Sequence, residues 1–303
     1  MWHNTSAGRH NVDREYGVDK MADGRECECL PVPNEILEMI LNKLDDVDAV
    51  AAAYVNARGC PWDWKTCAEA AGGGHLDVLQ WARDKGCPWD ADTCTYAARG
   101  GHLETLQWAR GNGCPWNENK CLLTAAAHGH LNILRWAHAI GCELSASVCA
   151  CAAGAGRVDV LEWCRANGCP WDKWTCANAA VHGQLGALQW ARANGCPWDG
   201  TTCSWAARYG HINVIEWARA NDCPWDKRTC AVAAAEGRLD VIKWARANGC
   251  PWDARTLIEA AHSRHLEVLE WALANGCPRD WLSLTKKDSD AYEWAEMNGC
   301  PLD

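Results

Sequence analysis

The sequence of 303 residues contains no Phe and few Met or Tyr, four and five respectively, although it contains 21 Trp. A core assembled from unrelated segments uses all of these residue types, so the restriction to Trp predicts one unit copied many times. The sequence also lacks any run of 18 apolar residues, which argues against a transmembrane helix. The first residues, Met1 to Ser6, lack the apolar core of a secretory signal.

Basic residues are the minority among the charges. The chain has 29 Lys and Arg against 39 Asp and Glu, a net charge of −10, with the two signs interspersed. A nucleic-acid-binding protein usually carries a basic face, so this balance disfavours that class. The apolar share of 49% and the charged share of 22% are typical of a folded protein. We therefore expect a monomer that binds neither nucleic acid nor membrane.

The 21 cysteines are odd in number, so they cannot all pair within one chain. Without a secretory signal, a reducing, intracellular and cytoplasmic location is expected. Most of the cysteines are then predicted to be free thiols, buried as small hydrophobic residues.

Three sets of residues recur with nearly the same period and a fixed offset from one another. The distances between the cysteines of the first set are 27, 27, 28, 27, 27, 27, 27, 27 and 23 residues. The first set is Cys60, Cys87, Cys114, Cys142, Cys169, Cys196, Cys223, Cys250, Cys277 and Cys300. The second set is Trp81, Trp108, Trp136, Trp163, Trp190, Trp217, Trp244, Trp271 and Trp294. The third set, each in Cys-Pro-Trp, is Trp62, Trp89, Trp116, Trp171, Trp198, Trp225 and Trp252. Such phase-locked periodicity predicts a repeat array.

One unit of the array predicts two helices joined by a turn. Asp63 suits a helix N-cap, and residues 66–71 carry a short first helix of small residues. Gly74 and the following His form the turn, a second helix starts near Leu76, and Gly86 ends it. The second helix is apolar around most of its circumference, so neighbouring units must cover it on both sides.

The unit resembles the ankyrin repeat through the words Thr-Cys-x-x-Ala-Ala-x-x-Gly-His-Leu-x-Val-Leu and Gly-Cys, which begin at Thr66. An ankyrin unit is about 33 residues long, and the residues missing here fall between Gly86 and Thr93, where ankyrin units place a β-hairpin. The resemblance therefore implies an all-α, ankyrin-like solenoid of stacked helix pairs with short turns and little or no hairpin. Short Trp-rich units are similar to arrays common in giant DNA viruses of amoebae, which would place the chain in the host cytoplasm.

The N-terminal part differs from the repeats. Residues 1–29 are polar and unpatterned, and we expect a disordered arm. Residues 30–56 contain Leu-Pro and Glu-Ile-Leu words and one apolar helical face. They resemble the opening of an F-box, although Gly59 stands where that family has Trp. The resemblance implies docking of a Skp-type adaptor of a cullin ubiquitin ligase through Leu30, Pro31, Ile36, Leu37, Ile40, Leu41 and Leu44.

Two alternatives to a ubiquitin-ligase substrate receptor remain open. The helix within 30–56 can instead cap the exposed end of the solenoid, which leaves a binding scaffold without a ligase role. In both cases residues 57–303 form about nine ankyrin-like units, the last one a degenerate cap that is polar where the others are apolar. A cysteine-rich metal or redox protein is the third hypothesis.

The recurring Cys and His residues favour structure over chemistry. Cys60 and Cys67 are seven residues apart, whereas zinc knuckles space their ligands by two to four, and Leu257 occupies a Cys67-equivalent position. His75 and its equivalents recur at the turn, which suits a stabilising hydrogen bond better than a catalytic base. No phosphate-cradling loop is present. We expect no enzyme activity, no cofactor and no metal.

In a repeat array, the positions that vary between units are the candidates for binding a partner. They fall after Trp-Asp, within the first helix and before Gly-His. Interface hot spots favour Trp, Tyr and Arg, so aromatic and basic residues at these positions are the candidate contacts with an unknown target protein. They are Trp64, Tyr96, Trp174, Trp205, Arg208, Tyr209, Lys227 and Arg228.

Overall fold

A computed structural model describes residues 63–84 and 86–279, and in these ranges sixteen helices alternate with short turns and no strand occurs. The eight first helices of the units are α1 Trp64–Gly72, α3 Ala91–Gly100, α5 Glu118–His128, α7 Ala146–Gly154, α9 Lys173–Val181, α11 Gly200–Tyr209, α13 Lys227–Ala235 and α15 Ala254–His262. The second helices are α2 Leu76–Asp84, α4 Leu103–Gly111, α6 Leu131–Ala139, α8 Val158–Ala166, α10 Leu185–Ala193, α12 Ile212–Ala220, α14 Leu239–Ala247 and α16 Leu266–Ala274.

Each first helix packs against the first helix of the next unit, and each second helix packs on the first helix of its own unit. The predicted all-α solenoid of helix pairs without a hairpin is confirmed for these residues. The disordered arm, the F-box-like segment and the degenerate last unit lie outside the described residues. None of the described helices is both long and apolar enough to span a membrane.

The core between the two rows of helices consists mainly of small residues. In one unit Cys94, Ala97 and Ala98 of α3 are fully buried, as are Leu106 and Ala109 of α4. Small side chains allow the first helices of neighbouring units to approach closely, and the second helices supply the larger Leu, Ile and Val. Direct packing of one second helix on the next, as predicted, is seen between α8 and α10.

The first helices begin at the predicted caps. The carboxylate of Asp90 accepts a hydrogen bond from the amide of Asp92 at 2.9 Å, which satisfies one of the free amides of the first turn. In seven of the eight first helices, a side-chain oxygen of the cap residue accepts such a bond from a backbone amide. The cap residues are Asp63, Asp90, Asn117, Asp172, Asp199, Asp226 and Asp253. Ser145, at the start of α7, makes no side-chain cap bond.

The histidine at the turn joins neighbouring units, which goes beyond the predicted bond within the turn. Nε2 of His130 donates to the carbonyl of Arg99 in the preceding unit at 2.8 Å. Where Arg stands at the same position the bond is kept, because Nε of Arg157 donates to the carbonyl of Ala127 at 3.4 Å. Either His or Arg at this position can therefore supply a side-chain N–H that reaches back by one unit.

Tryptophans of the second and third sequence sets are in contact in the structure. Trp198, in the turn, contacts Trp217 of α12 edge to face, with ring centroids 5.8 Å apart. The guanidinium of Arg192, at the end of the preceding second helix, lies 4.3 Å from the Trp198 ring centroid. This arrangement of Arg, turn Trp and helix Trp, which we call the Arg-Trp-Trp step, recurs with Arg83, Arg165, Arg219 and Arg246.

Candidate functional site

Equivalent positions of the stacked first helices form a row of variable residues. We define the first-helix row as the residues six positions before the residue that occupies the turn-His position. They are Glu69, Tyr96, Thr124, Cys151, Asn178, Trp205, Val232 and Glu259. All are half-buried except the exposed Glu69. The Cys and Ala residues around each of them are buried and nearly constant, so the row is where units differ on a shared surface.

Three of the predicted target-binding residues lie together on α11. The rings of Trp205 and Tyr209 stack with centroids 6.2 Å apart, and the Arg208 guanidinium lies 5.5 Å from the Trp205 centroid. Arg208 also pairs with Glu236 of the next unit at 2.9 Å. These contacts hold two aromatic rings and a guanidinium in fixed positions on one surface.

Tyr96 belongs to the same row but fills space between units. A Cβ atom at Gly72 would lie 3.3 Å from Cδ1 of Tyr96, which shows that the Tyr ring rests on the end of α1. Its ring is half-buried. The glycine at position 72 therefore makes room for the tyrosine of the following unit.

The other four candidates lie in the first turn of their helices, apart from the row. Trp174 is 47% exposed and is one of the three exposed large apolar side chains among the described residues. Lys227 pairs with Asp253, the cap of the next unit, at 2.9 Å. Trp64 is half-buried and Arg228 is exposed. The seven adaptor-binding candidates between residues 30 and 44 lie outside the described residues.

One unit interrupts the Arg-Trp-Trp steps, and sequence reasoning did not use this gap as a site. Leu144 stands where the other turns between residues 87 and 252 carry Trp, and His138 stands in the place of the Arg. The His138 ring contacts the edge of Trp163, with centroids 5.9 Å apart. A cleft of about 410 Å³ opens there, lined by His138, Gly141, Cys142, Glu143, Leu144, Asn167, Gly168 and Cys169. The third sequence set has no Trp between Trp116 and Trp171, and this gap was the sequence feature that could have pointed to the cleft.

The seventeen described cysteines are all free, and all but the half-buried Cys151 are buried, as predicted. The thiols of the turn cysteines also donate hydrogen bonds, a role that the sequence did not indicate. Sγ of Cys196 donates to the carbonyl of Asp172, the cap of the preceding first helix, at 3.4 Å. In one unit, however, three thiols come together: Cys149, Cys164 and Cys169.

The comparisons with known proteins agree with the helix-pair geometry. The family model for ankyrin repeats (many copies) matches residues 94–138, which run from α3 to α6. No curated protein matches the chain. The ankyrin repeats imply a protein–protein interaction module, and all-α scaffolds of this kind are typically non-enzymatic.

Proposed function

We propose that the chain is a substrate receptor: the repeat array holds a target protein, and residues 30–56 recruit a Skp-type adaptor of a cullin ubiquitin ligase. The proposed ligase role rests on two F-box-like sequence motifs, Leu30-Pro31 and Glu35-Ile36-Leu37. The target-binding part rests on the first-helix row. In this proposal the chain positions two proteins and carries out no chemistry itself.

The contacts among Trp205, Arg208 and Tyr209 on α11 are the observation that carries target binding. Half-buried aromatic rings that are already packed lose little side-chain freedom when a partner covers them. Trp205, Arg208 and Tyr209 are of the residue types that dominate interface energies. Val232 continues the apolar surface on the next helix. We expect a target segment that places an apolar side chain against Trp205.

Exposed residues in the first turns extend this surface. Trp174 offers a large apolar area to solvent, and Arg228 is exposed on α13. Lys227 contributes less, because its ammonium already pairs with Asp253. Trp64 and Tyr96 are proposed as peripheral contacts, since contacts at the edge of an interface contribute little energy but exclude water from its centre.

Substitution of the apolar face in residues 30–56 tests the ligase role. The full chain with Ile36→Asp and Leu37→Asp should lose capture of a purified Skp-type adaptor, with an unchanged melting temperature. Glu38→Gln in the same segment is the matched control and should retain the adaptor. An adaptor that binds all three proteins equally, or none of them, would contradict the ligase role.

A scaffold without ligase contact is the second candidate function. In that case the apolar face of residues 30–56 covers the first repeat, so the same two substitutions lower the melting temperature and no adaptor binds. Both functions place the chain in the cytoplasm as a monomer, in the host cytoplasm if its origin is viral. The melting temperature and adaptor capture together separate them.

A further inference from the structure

Three cysteine sulfurs converge in the unit that interrupts the Arg-Trp-Trp steps. Cys149 lies on α7, Cys164 on α8 and Cys169 in the following turn. The Cys149 and Cys169 sulfurs are 3.5 Å apart, with Cys149 as the donor, and all three sulfurs lie within 4.8 Å of one another. The three residues are at most 1% exposed. These separations fit three sulfurs bound to a single ion.

The third sulfur distinguishes this unit from its neighbours. A cysteine of the first helix interacts with the turn cysteine in other units too, as Cys176 does with Cys196. The position of Cys164, however, is a fully buried alanine in the other seven described second helices: Ala82, Ala109, Ala137, Ala191, Ala218, Ala245 and Ala272. Replacing one methyl group by a CH₂–SH group therefore changes a pair of thiols into a cluster of three.

The cleft at Leu144 gives access to this cluster. Cys169 is among the residues that line it, together with His138 and Leu144. In the neighbouring units a turn Trp, covered by an Arg guanidinium, occupies the equivalent position, as Trp198 does beneath Arg192. The smaller Leu and His side chains leave the space open. The unit with the third cysteine is thus also the unit in which a cleft is lined by the turn cysteine, Cys169.

Arg165 places a positive charge beside the cluster, because its Nη1 donates to the Cys169 carbonyl at 2.7 Å. The thiolate is the form of cysteine that binds metals, and a neighbouring cation is among the groups that favour it.

We propose that Cys149, Cys164 and Cys169 form a binding site for a trivalent, sulfur-seeking metalloid ion, of the class represented by arsenic(III). Soft ions prefer thiolate ligands. Zinc fits less well, because structural zinc sites are four-coordinate and no fourth Cys, His or carboxylate joins this group among the described residues.

Charge also favours a trivalent ion at this buried position. Three thiols react with arsenous acid to form three arsenic–sulfur bonds, while three arsenic–oxygen bonds break and each thiol proton leaves with a hydroxide as water. Arsenic stays trivalent, and the product is neutral. A neutral product suits a group whose three residues are at most 1% exposed, because burying a net charge is costly.

Arsenite titration of the full chain under a phosphine reductant tests the site, with the arsenic–sulfur coordination number measured by X-ray absorption. At less than one equivalent of arsenite, the unsubstituted chain should show three sulfurs per arsenic. Cys164→Ala, which installs the residue of the other units, should lower this number to two and weaken binding. Ala191→Cys, which adds a third sulfur beside Cys176 and Cys196, should create a second three-sulfur site.

The comparison between the unsubstituted chain and Cys164→Ala decides the proposal. Both should fold alike, because alanine is native at the equivalent positions, and circular dichroism checks this. An equal sulfur number and equal affinity in the two proteins would overturn the proposal, whatever the other cysteines of the chain bind. If Ala191→Cys fails to fold, the Cys164→Ala comparison remains decisive.

Discussion

Arg192 and Trp198 join the end of one unit to the turn of the next: the guanidinium lies 4.3 Å from the indole centroid. Nη1 of the same Arg192 donates to the carbonyl of Cys196. The arginine therefore fixes both the backbone and the ring of the turn. Because the ring in turn contacts Trp217, one side chain links two second helices.

We expect Trp198→Leu, which copies the interrupted unit, to lower the free energy of unfolding by about 2 kcal/mol. The substitution removes an aromatic pair, a cation–π contact and buried apolar area. Urea unfolding followed by circular dichroism measures the change. Trp174→Leu is the control. Because Trp174 is 47% exposed, this substitution should lower the free energy of unfolding much less. Equal effects at both positions would contradict the role of the Arg-Trp-Trp step.

Removal of a helix cap should be costly only where the cap bond exists. The Asp226 carboxylate accepts a hydrogen bond from the amide of Arg228 at 2.8 Å, so Asp226→Ala should lower the free energy of unfolding by about 1 kcal/mol. Ser145 makes no cap bond, so Ser145→Ala should change stability little. Urea midpoints of the two variants give the comparison, and a larger loss at Ser145 would be inconsistent with the capping account.

Asp222→Gly should stabilise the array. Asp222 has a φ of 63° at a turn position where neighbouring units have glycine, as at Gly195 with a φ of 83°. A left-handed conformation is strained for residues with a Cβ atom, so the substitution should add up to about 1 kcal/mol. Asn221→Gly is the control, because Asn221 has a φ of −111° and gains nothing from glycine. A lower melting temperature for Asp222→Gly would contradict this reading.

Stability should fall on mild acidification, partly through His102. Burial lowers the pKa of His102, and the nearby His75 and His130 lower it further, against a backbone hydrogen bond at Gly72 that raises it. The unfolded chain then binds more protons than the folded chain, so stability decreases as the pH falls below the ordinary His pKa of about 6.5.

His102→Gln tests this origin of the pH dependence. Gln occupies the equivalent turn position at Gln184, so the variant should fold. Its loss of melting temperature between pH 7 and pH 5 should be smaller than that of the unsubstituted chain. An unchanged pH dependence would assign the effect to other groups.

The sequence predicted most of the fold because its features are local and repeated. The cap at Asp63 and the left-handed Gly86 follow from the preferences of single residues. The bond from His130 to Arg99 and the meeting of Cys149 with Cys164 join different helices. The period alone does not show which side chains face each other across them. The variable positions could be found from the sequence. Their separation into the first-helix row and a group of first-turn residues became visible only from the arrangement of the helices in the structure.

Quantitative capture of partners by the full chain tests the central claim that the first-helix row holds a target protein. The unsubstituted chain is compared with a row variant, in which Trp205→Ala is combined with Tyr209→Ala because the Tyr209 ring stacks on that row residue. The control variant carries Gln189→Ala and Glu216→Ala, at exposed positions of the second helices. Circular dichroism verifies that all three proteins are folded.

We predict that at least one protein is captured by the unsubstituted and control chains but is captured about tenfold less, or not at all, by the row variant. All three chains should capture the Skp-type adaptor equally. Capture of the same proteins in the same amounts by the folded row variant would contradict the assignment of target binding to the first-helix row.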